Sequence, residues 1–153
     1  MKKKEFKKII MYSIIGLMSL FVTVDHAVIA DAAEASPYEK DYILEDGSIP
    51  KKTWNIQSKG TYRFSGTAHA NNFLYTSYQF YGKSRYVVNV HNSGESVASV
   101  TVVDASNDSK KYGKIMVDVG DTRSFTVSGI QNNTRFYLRF KSEKNLKIDG
   151  SIA

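Results

Sequence analysis

Apolar and polar residues alternate with a period of two along most of the chain from Ser48 onward. Successive side chains of a β-strand point to opposite faces, so this alternation predicts strands with one buried face. The pattern is clearest in the segments SRYVVNVH and TRFYLRFKS. It predicts nine strands, at 52–58, 61–66, 72–82, 84–91, 96–104, 114–120, 123–129, 134–142 and 146–152.

Glycine, asparagine and aspartate separate these alternating segments, and these residues favour turns. Gly120 and Asp121 predict a two-residue hairpin loop between two of the strands. Short strands at this spacing, with no helical pattern after Val24, are typical of an all-β domain. We therefore expect an antiparallel β-sandwich, either jelly-roll or immunoglobulin-like, with a strand order that the pattern leaves open.

The first 35 residues follow a different pattern. A lysine-rich head at 1–8 precedes an apolar run of 16 residues at 9–24, and small residues follow it. These are the three parts of a secretory signal peptide. An uncleaved membrane anchor is the alternative, but a spanning helix needs about 20 apolar residues.

The domain boundaries follow from this leader. We expect cleavage near Ala35 or Ala30, so that 1–35 is the signal peptide. The polar residues 36–47 are then an exposed N-terminal arm, and 48–153 form the β-sandwich domain. With neither a lipoprotein cysteine nor a sorting tail in the sequence, we expect release from the cell.

The net charge limits which partners are expected, and the cysteine content bears on how the core is stabilised. The chain has a net charge of +6, and its part after residue 35 keeps +5. The cations are spread along the chain, which fits an anionic cell wall or membrane surface and argues against nucleic acid. The chain has no cysteine, so the core has to be stable without disulfides. Together with the lysine-rich leader, this favours secretion from a Gram-positive bacterium.

Catalytic motifs are missing from the sequence. After the leader only His69 and His91 are histidines, and no serine lies in a Gly-x-Ser-x-Gly motif. Asp118 and Asp149 are predicted to point outward, and the glutamates lie in the arm or in turns. The sequence therefore predicts a protein that is not an enzyme.

A calcium site is the one metal site that the composition suggests. The segment DASNDS offers oxygen ligands from Asp104, Asn107 and Asp108. Its spacing differs from that of a hand-type calcium loop, and polar turns of this composition are common. We expect no other cofactor, because zinc would require closely spaced histidine or cysteine.

Aromatic residues suggest a binding surface. The chain contains 10 Tyr and 8 Phe, and the segment 72–82 carries aromatic residues on both faces of its predicted strand. Tyrosine rings contact sugars and proteins at little entropic cost. Tyr75 and Tyr81 are predicted to form an exposed row. The candidate ligand-binding residues are Tyr75, Tyr78, Tyr81, Arg135, Tyr137 and Arg139. The alternative is that these tyrosines simply cover a β-surface, where their propensity is high.

Two functions remain open on these observations. The first is a secreted, non-catalytic binding module for an extracellular or cell-wall polymer or a protein. The second is a small secreted toxin, similar to a bacteriocin, that acts on the membranes of neighbouring cells. In the second case, the aromatic segment at 72–81 would insert into the membrane.

Overall fold

The computed structural model describes residues 48–153, so the predicted signal peptide at 1–35 and the predicted arm at 36–47 lie outside the described residues. The described part contains ten strands and one short helix. They are β1 (Lys52–Asn55), α1 (Ile56–Lys59), β2 (Tyr62–Ala68), β3 (Phe73–Tyr75), β4 (Tyr78–Tyr81), β5 (Arg85–Asn92), β6 (Ala98–Asp104), β7 (Lys111–Val117), β8 (Thr122–Ser128), β9 (Phe136–Lys141) and β10 (Leu146–Ile152). Within 48–153, no helix is long and apolar enough to cross a membrane.

The strands form two sheets. The six-stranded sheet has the order β1-β4-β9-β6-β7, with β3 also paired to β9, and the four-stranded sheet has the order β2-β10-β5-β8. The prediction of an all-β domain with two sheets is confirmed. Antiparallel pairing throughout is wrong for β1 and β4, which run parallel. Between them the chain passes through β2 of the other sheet, and such a crossover lets two strands run in the same direction.

One hydrophobic core lies between the two sheets, because the inward residues of both contribute to it. Aromatic pairs join the layers: Tyr62 and Phe80 have ring centroids 5.0 Å apart, and Tyr86 and Phe136 are 4.7 Å apart. Full burial of one large apolar side chain contributes about 1.5–3 kcal/mol. The period-two pattern is therefore what makes the sheets pack face to face.

Only the first part of the predicted strand at 52–58 is a strand, β1, and the rest belongs to the helix α1. Asn55 ends β1 and caps α1, since its side-chain Oδ1 accepts hydrogen bonds from the backbone N–H groups of Gln57 and Ser58. Asparagine is among the preferred residues at this capping position. Ile56 is still buried, but it reaches the core from the helix.

The long predicted strand at 72–82 is two strands, β3 and β4. Thr76 separates them and is buried. Its backbone N–H donates to the Leu138 carbonyl, and its hydroxyl accepts from the Leu138 N–H at 3.1 Å. The Thr76 hydroxyl thus takes the place of a backbone carbonyl as the acceptor for β9. The strand is interrupted here, but the buried N–H of Leu138 still has a hydrogen-bond partner.

The predicted hairpin at Gly120 and Asp121 is also wrong. β7 pairs within the six-stranded sheet and β8 within the four-stranded sheet, so the turn carries the chain from one sheet to the other. Gly120 has a φ of 81°, which favours glycine, and its N–H donates to the Asn92 carbonyl at 2.7 Å. Val119, which alternation places in the core, is 52% exposed because it lies in this turn.

Candidate functional site

Two of the predicted ligand-binding tyrosines are buried on the outer face of the six-stranded sheet. Tyr75 on β3 and Tyr137 on β9 have ring centroids 5.9 Å apart and pack against Val103. Tyr75 is 7% exposed and Tyr137 is fully buried. The prediction of an exposed row is therefore wrong for Tyr75. The loop after β6 explains its burial, since Ala105 packs on this small cluster.

The same loop fixes the hydroxyl of Tyr137. This hydroxyl donates a hydrogen bond to Oδ1 of Asp108 at 2.9 Å. Burial raises the pKa of Tyr137, and the hydrogen bond to the Asp108 carboxylate raises it further. Tyr137 is therefore a neutral hydrogen-bond donor that holds the loop on the sheet.

The other two tyrosines lie elsewhere. Tyr78 is on the core side of β4, where its ring lies 5.5 Å from those of Trp54 and Tyr62. Tyr81 is half-buried on the outer side of β4, with the Arg135 guanidinium 5.8 Å from its ring centroid. The four tyrosines therefore do not form one continuous binding surface.

A basic cleft lies next to the buried tyrosine pair, on the same outer face. Its volume is about 240 Å³. We call the basic cleft the space lined by Phe73, Ser99, Thr101, Lys111, Lys114, Arg139 and Lys141. Of the residues predicted from the sequence to bind a ligand, the cleft includes only Arg139.

Strand pairing brings the cations together from distant parts of the chain. Arg139 on β9 pairs with Thr101 on β6, and Thr101 pairs with Lys114 on β7. Lys141 lies between Phe73 on β3 and Ser99 on β6 in the neighbouring row. Directly opposed residues have Cβ atoms about 4.5–5.5 Å apart, so these side chains form one compact group.

The phenyl ring of Phe73 and the carboxylate of Asp108 orient two of the cations. Arg139 lies 5.0 Å and Lys141 lies 5.1 Å from the Phe73 ring centroid. Arg139 also donates to Oδ1 of Asp108 at 3.3 Å. A cation over an aromatic ring gains about 0.5–1 kcal/mol at an exposed site. These contacts hold the two cations at the wall of the cleft.

The lysines of the cleft have no acidic partner among the residues that the structure describes. Within residues 48–153, neither Lys111, Lys114 nor Lys141 forms an ion pair, and Asp108 pairs only with Arg139. In the described part of the chain, four cations and no carboxylate line the cleft. The resulting positive potential attracts an anion, and the hydroxyls of Ser99 and Thr101 are available to donate hydrogen bonds to it.

The three residues of the predicted calcium loop have protein partners. Asp104 accepts from Ser106 and from the Tyr112 hydroxyl, which is 2.5 Å away. Asn107 accepts from the backbone of Ser109, and Asp108 accepts from Tyr137 and Arg139. In the described part of the chain, no three His, Cys, Asp or Glu side chains are grouped to hold a metal ion. The two carboxylates of this loop therefore hold it against the sheet, because they accept hydrogen bonds from side chains of β7 and β9.

No protein-family model matches this chain, and no curated protein matches it in sequence.

Several residues of the basic cleft were not predicted from the sequence as binding residues. Lys141 alternates with buried residues of β9, a signal that marks it as outward. Phe73 and Lys114 also lie at alternating positions of predicted strands, and Lys111 lies outside them. Only the pairing of β3 with β9 and of β6 with β7 places these three residues beside Arg139.

Proposed function

We propose that this chain is a secreted, non-catalytic binding module that holds an anionic extracellular or cell-wall polymer in its basic cleft. The observation that carries the proposal is the convergence of four cations on one outer sheet face, three of them without an ion-pair partner in residues 48–153. Among the seven lining residues there is neither a histidine nor a carboxylate. The chemistry of the cleft is therefore that of charge recognition.

A polymer fits better than a small anion because the cleft continues along the sheet. A second depression, with a volume of about 460 Å³, shares Ser99, Lys114 and Lys141 with the basic cleft. It extends past Met116, which is 53% exposed, toward Asn71, and its lining also includes one carboxylate, Glu143. An extended chain with regularly spaced negative groups can contact both depressions.

The leader supports secretion, since residues 1–35 have the three parts of a signal peptide. The toxin alternative gains no support from residues 73–81. Leu74 and Phe80 are fully buried in the core, and Phe73, which is 38% exposed, lies under Arg139 and Lys141. Insertion of this segment into a membrane would require the core to open.

Binding to an immobilised polyanion tests the proposal. We expect the protein to be retained on poly(glycerol phosphate) at low ionic strength, but not on neutral dextran. The double variant Lys111→Gln, Lys114→Gln should bind about tenfold more weakly, because exposed charge pairs contribute up to about 1 kcal/mol each. Retention should fall as salt rises, since exposed charges are screened. The affinity is measured by biolayer interferometry over a salt series.

The matched control is Lys51→Gln, Lys83→Gln, which removes the same charge at exposed positions outside the cleft. Equal loss of binding in both double variants would show that net charge alone is responsible and would overturn the assignment to the cleft. Dye release from phosphatidylglycerol vesicles, with no retention on the polymer, would support the toxin instead.

A further inference from the structure

A third depression lies on the opposite side of the molecule, on the outer face of the four-stranded sheet. It has a volume of about 650 Å³ and follows β10. We call it the polar groove. Its polar lining residues are Arg63, Ser65, Asn89, His91, Thr122, Asp149 and Ser151.

Strand register produces the groove. Asp149 on β10 lies between Ser65 on β2 and His91 on β5. In the next outward row, Ser151 lies between Arg63 and Asn89. The short side chain of Ser151 leaves space between these two larger neighbours, so the centre of the sheet face is depressed.

Cross-strand hydrogen bonds hold the groove's side chains in place. His91 Nδ1 lies 3.0 Å from Oδ1 of Asp149, and the carboxylate can only accept. Nδ1 therefore carries the proton, and Nε2 remains for a ligand. The side-chain amide of Asn89 donates from Nδ2 to the Ser151 hydroxyl at 3.3 Å. The other atom of this amide, Oδ1, is left to accept a hydrogen bond from a ligand.

We propose that the polar groove binds a neutral oligosaccharide whose hydroxyl and amide groups both donate and accept hydrogen bonds. The groove presents acceptors on Asp149 and Asn89 and hydroxyl donors on Ser65, Thr122 and Ser151, so both kinds of sugar group find a partner. Arg63 and Asp149 carry opposite charges, so this groove lacks the excess of cations that the basic cleft has. The volume falls in the range of about 300–1,000 Å³ that is usual for ligand sites.

This site is independent of the proposed function, because its residues lie on the other sheet. A protein with both sites would hold a neutral glycan on one face and an anionic polymer on the other. A variant in one site should therefore lose binding to the ligand of that site and keep binding to the ligand of the other.

Titration of the isotope-labelled protein with the β-1,4-linked tetrasaccharide of N-acetylglucosamine tests the proposal. We expect backbone amide shifts in β2, β5 and β10, with a dissociation constant on the order of 1 mM, as for a ligand held by a few hydrogen bonds. Ser151→Leu fills the groove and should abolish these shifts. Asp149→Asn removes a charged acceptor and should weaken binding about tenfold.

The matched control for the filled groove is Thr126→Leu, an exposed position on the neighbouring β8 that does not line the groove. It should bind as the unchanged protein does, and so should the cleft variant Lys111→Gln, Lys114→Gln. Three results would overturn the proposal: no shifts with the tetrasaccharide, shifts confined to β6, β7 and β9, or unchanged binding by Ser151→Leu. Folding of each variant is read from the dispersion of the same spectra.

Discussion

Asp104 shows how the environment of a single residue changes its role. In the sequence it is a candidate calcium ligand, but in the fold it is only 5% exposed at the end of β6. Burial by itself would raise the pKa of Asp104. Hydrogen bonds from Ser106 and Tyr112 outweigh this effect and, with Lys110 at 3.5 Å, hold the pKa well below its ordinary value. The carboxylate is therefore a structural anion.

The lowered pKa predicts an acid-sensitive contribution to stability. A carboxylate with a lowered pKa in the folded protein stabilises it fully above the pKa of the unfolded chain, about 3.9. The contribution is lost as the pH falls through that value toward the folded pKa. We expect Asp104→Asn to lower the free energy of unfolding at pH 7 by about 2 kcal/mol, because the donors of Ser106 and Tyr112 lose a charged acceptor. We also expect a flatter decline of stability in acid.

Urea unfolding at pH 7, 5 and 3 measures both effects. Asp118→Asn is the control, since the Asp118 side chain is 63% exposed and its contact with Arg123 is 3.8 Å long. It should change stability by less than about 0.5 kcal/mol. A variant at Asp104 that kept the full acid dependence of the unchanged protein would contradict the interpretation.

At the scale of elements, Asn92 connects the end of β5 to two other parts of the fold. Its fully buried side chain donates to the carbonyls of Ser96 and Val117 at 2.9 and 3.0 Å. It also accepts from the Gly94 N–H at 3.0 Å. Val117 ends β7 of the opposite sheet, so this side chain links the two layers where the chain crosses between them.

Removal of this amide should destabilise the whole domain. Asn92→Ala leaves the buried Val117 carbonyl and the part-buried Ser96 carbonyl and Gly94 N–H without this partner, and a fully buried group of this kind costs about 1–3 kcal/mol. We expect a loss of at least about 3 kcal/mol in the free energy of unfolding, measured by thermal and urea unfolding. Asn92→Asp has nearly the same shape but cannot donate when ionised, so it should also be strongly destabilised.

Asn107→Ala provides the comparison, because Asn107 is exposed and accepts one local hydrogen bond from Ser109. Its loss should cost less than about 1 kcal/mol. If Asn92→Ala were as stable as Asn107→Ala, the link between the sheets would have no energetic role.

Most strands could be predicted from alternation, and the exceptions have local causes. The segments that became β5, β6, β9 and β10 alternate clearly because each has one face on the core. The segment at 52–58 alternates too, yet the capping side chain of Asn55 starts a helix there. The segment at 72–82 is divided by Thr76, whose hydroxyl takes part in pairing with β9. Side-chain hydrogen bonds to the backbone leave no period-two signal.

At the scale of the whole molecule, the leader and the domain have separate roles in the proposed function. Export should remove the leader, because peptidases recognise the small residues that follow the apolar run. We expect the protein recovered from the medium of a secreting bacterial host to begin at Ser36 or, with cleavage after Ala30, at Asp31. Intact mass spectrometry distinguishes these products. Recovery of the full chain in the membrane fraction would contradict cleavage and support an anchor.

The candidate sites were predictable only in part. Arg139 and Tyr137 were recognised as outward residues from the alternation of β9, and Tyr137 proved to be outward but covered by the loop that carries Asp108. Lys114 became a site residue only through the pairing of β7 with β6. His91 and Asp149 are 58 positions apart in the chain, and neighbouring strands β5 and β10 bring them within 3.0 Å.

The sequence by itself determined that the domain is built from strands and which residues of most strands face the core, because burial of alternate apolar side chains depends on local spacing. Tertiary structure decided the strand order, the crossing at Gly120 and both candidate binding surfaces. Those features depend on which strands become neighbours, and hydrogen-bonded pairing joins residues far apart in the chain. Neither the basic cleft nor the polar groove exists within a single segment, so no local pattern could have shown them.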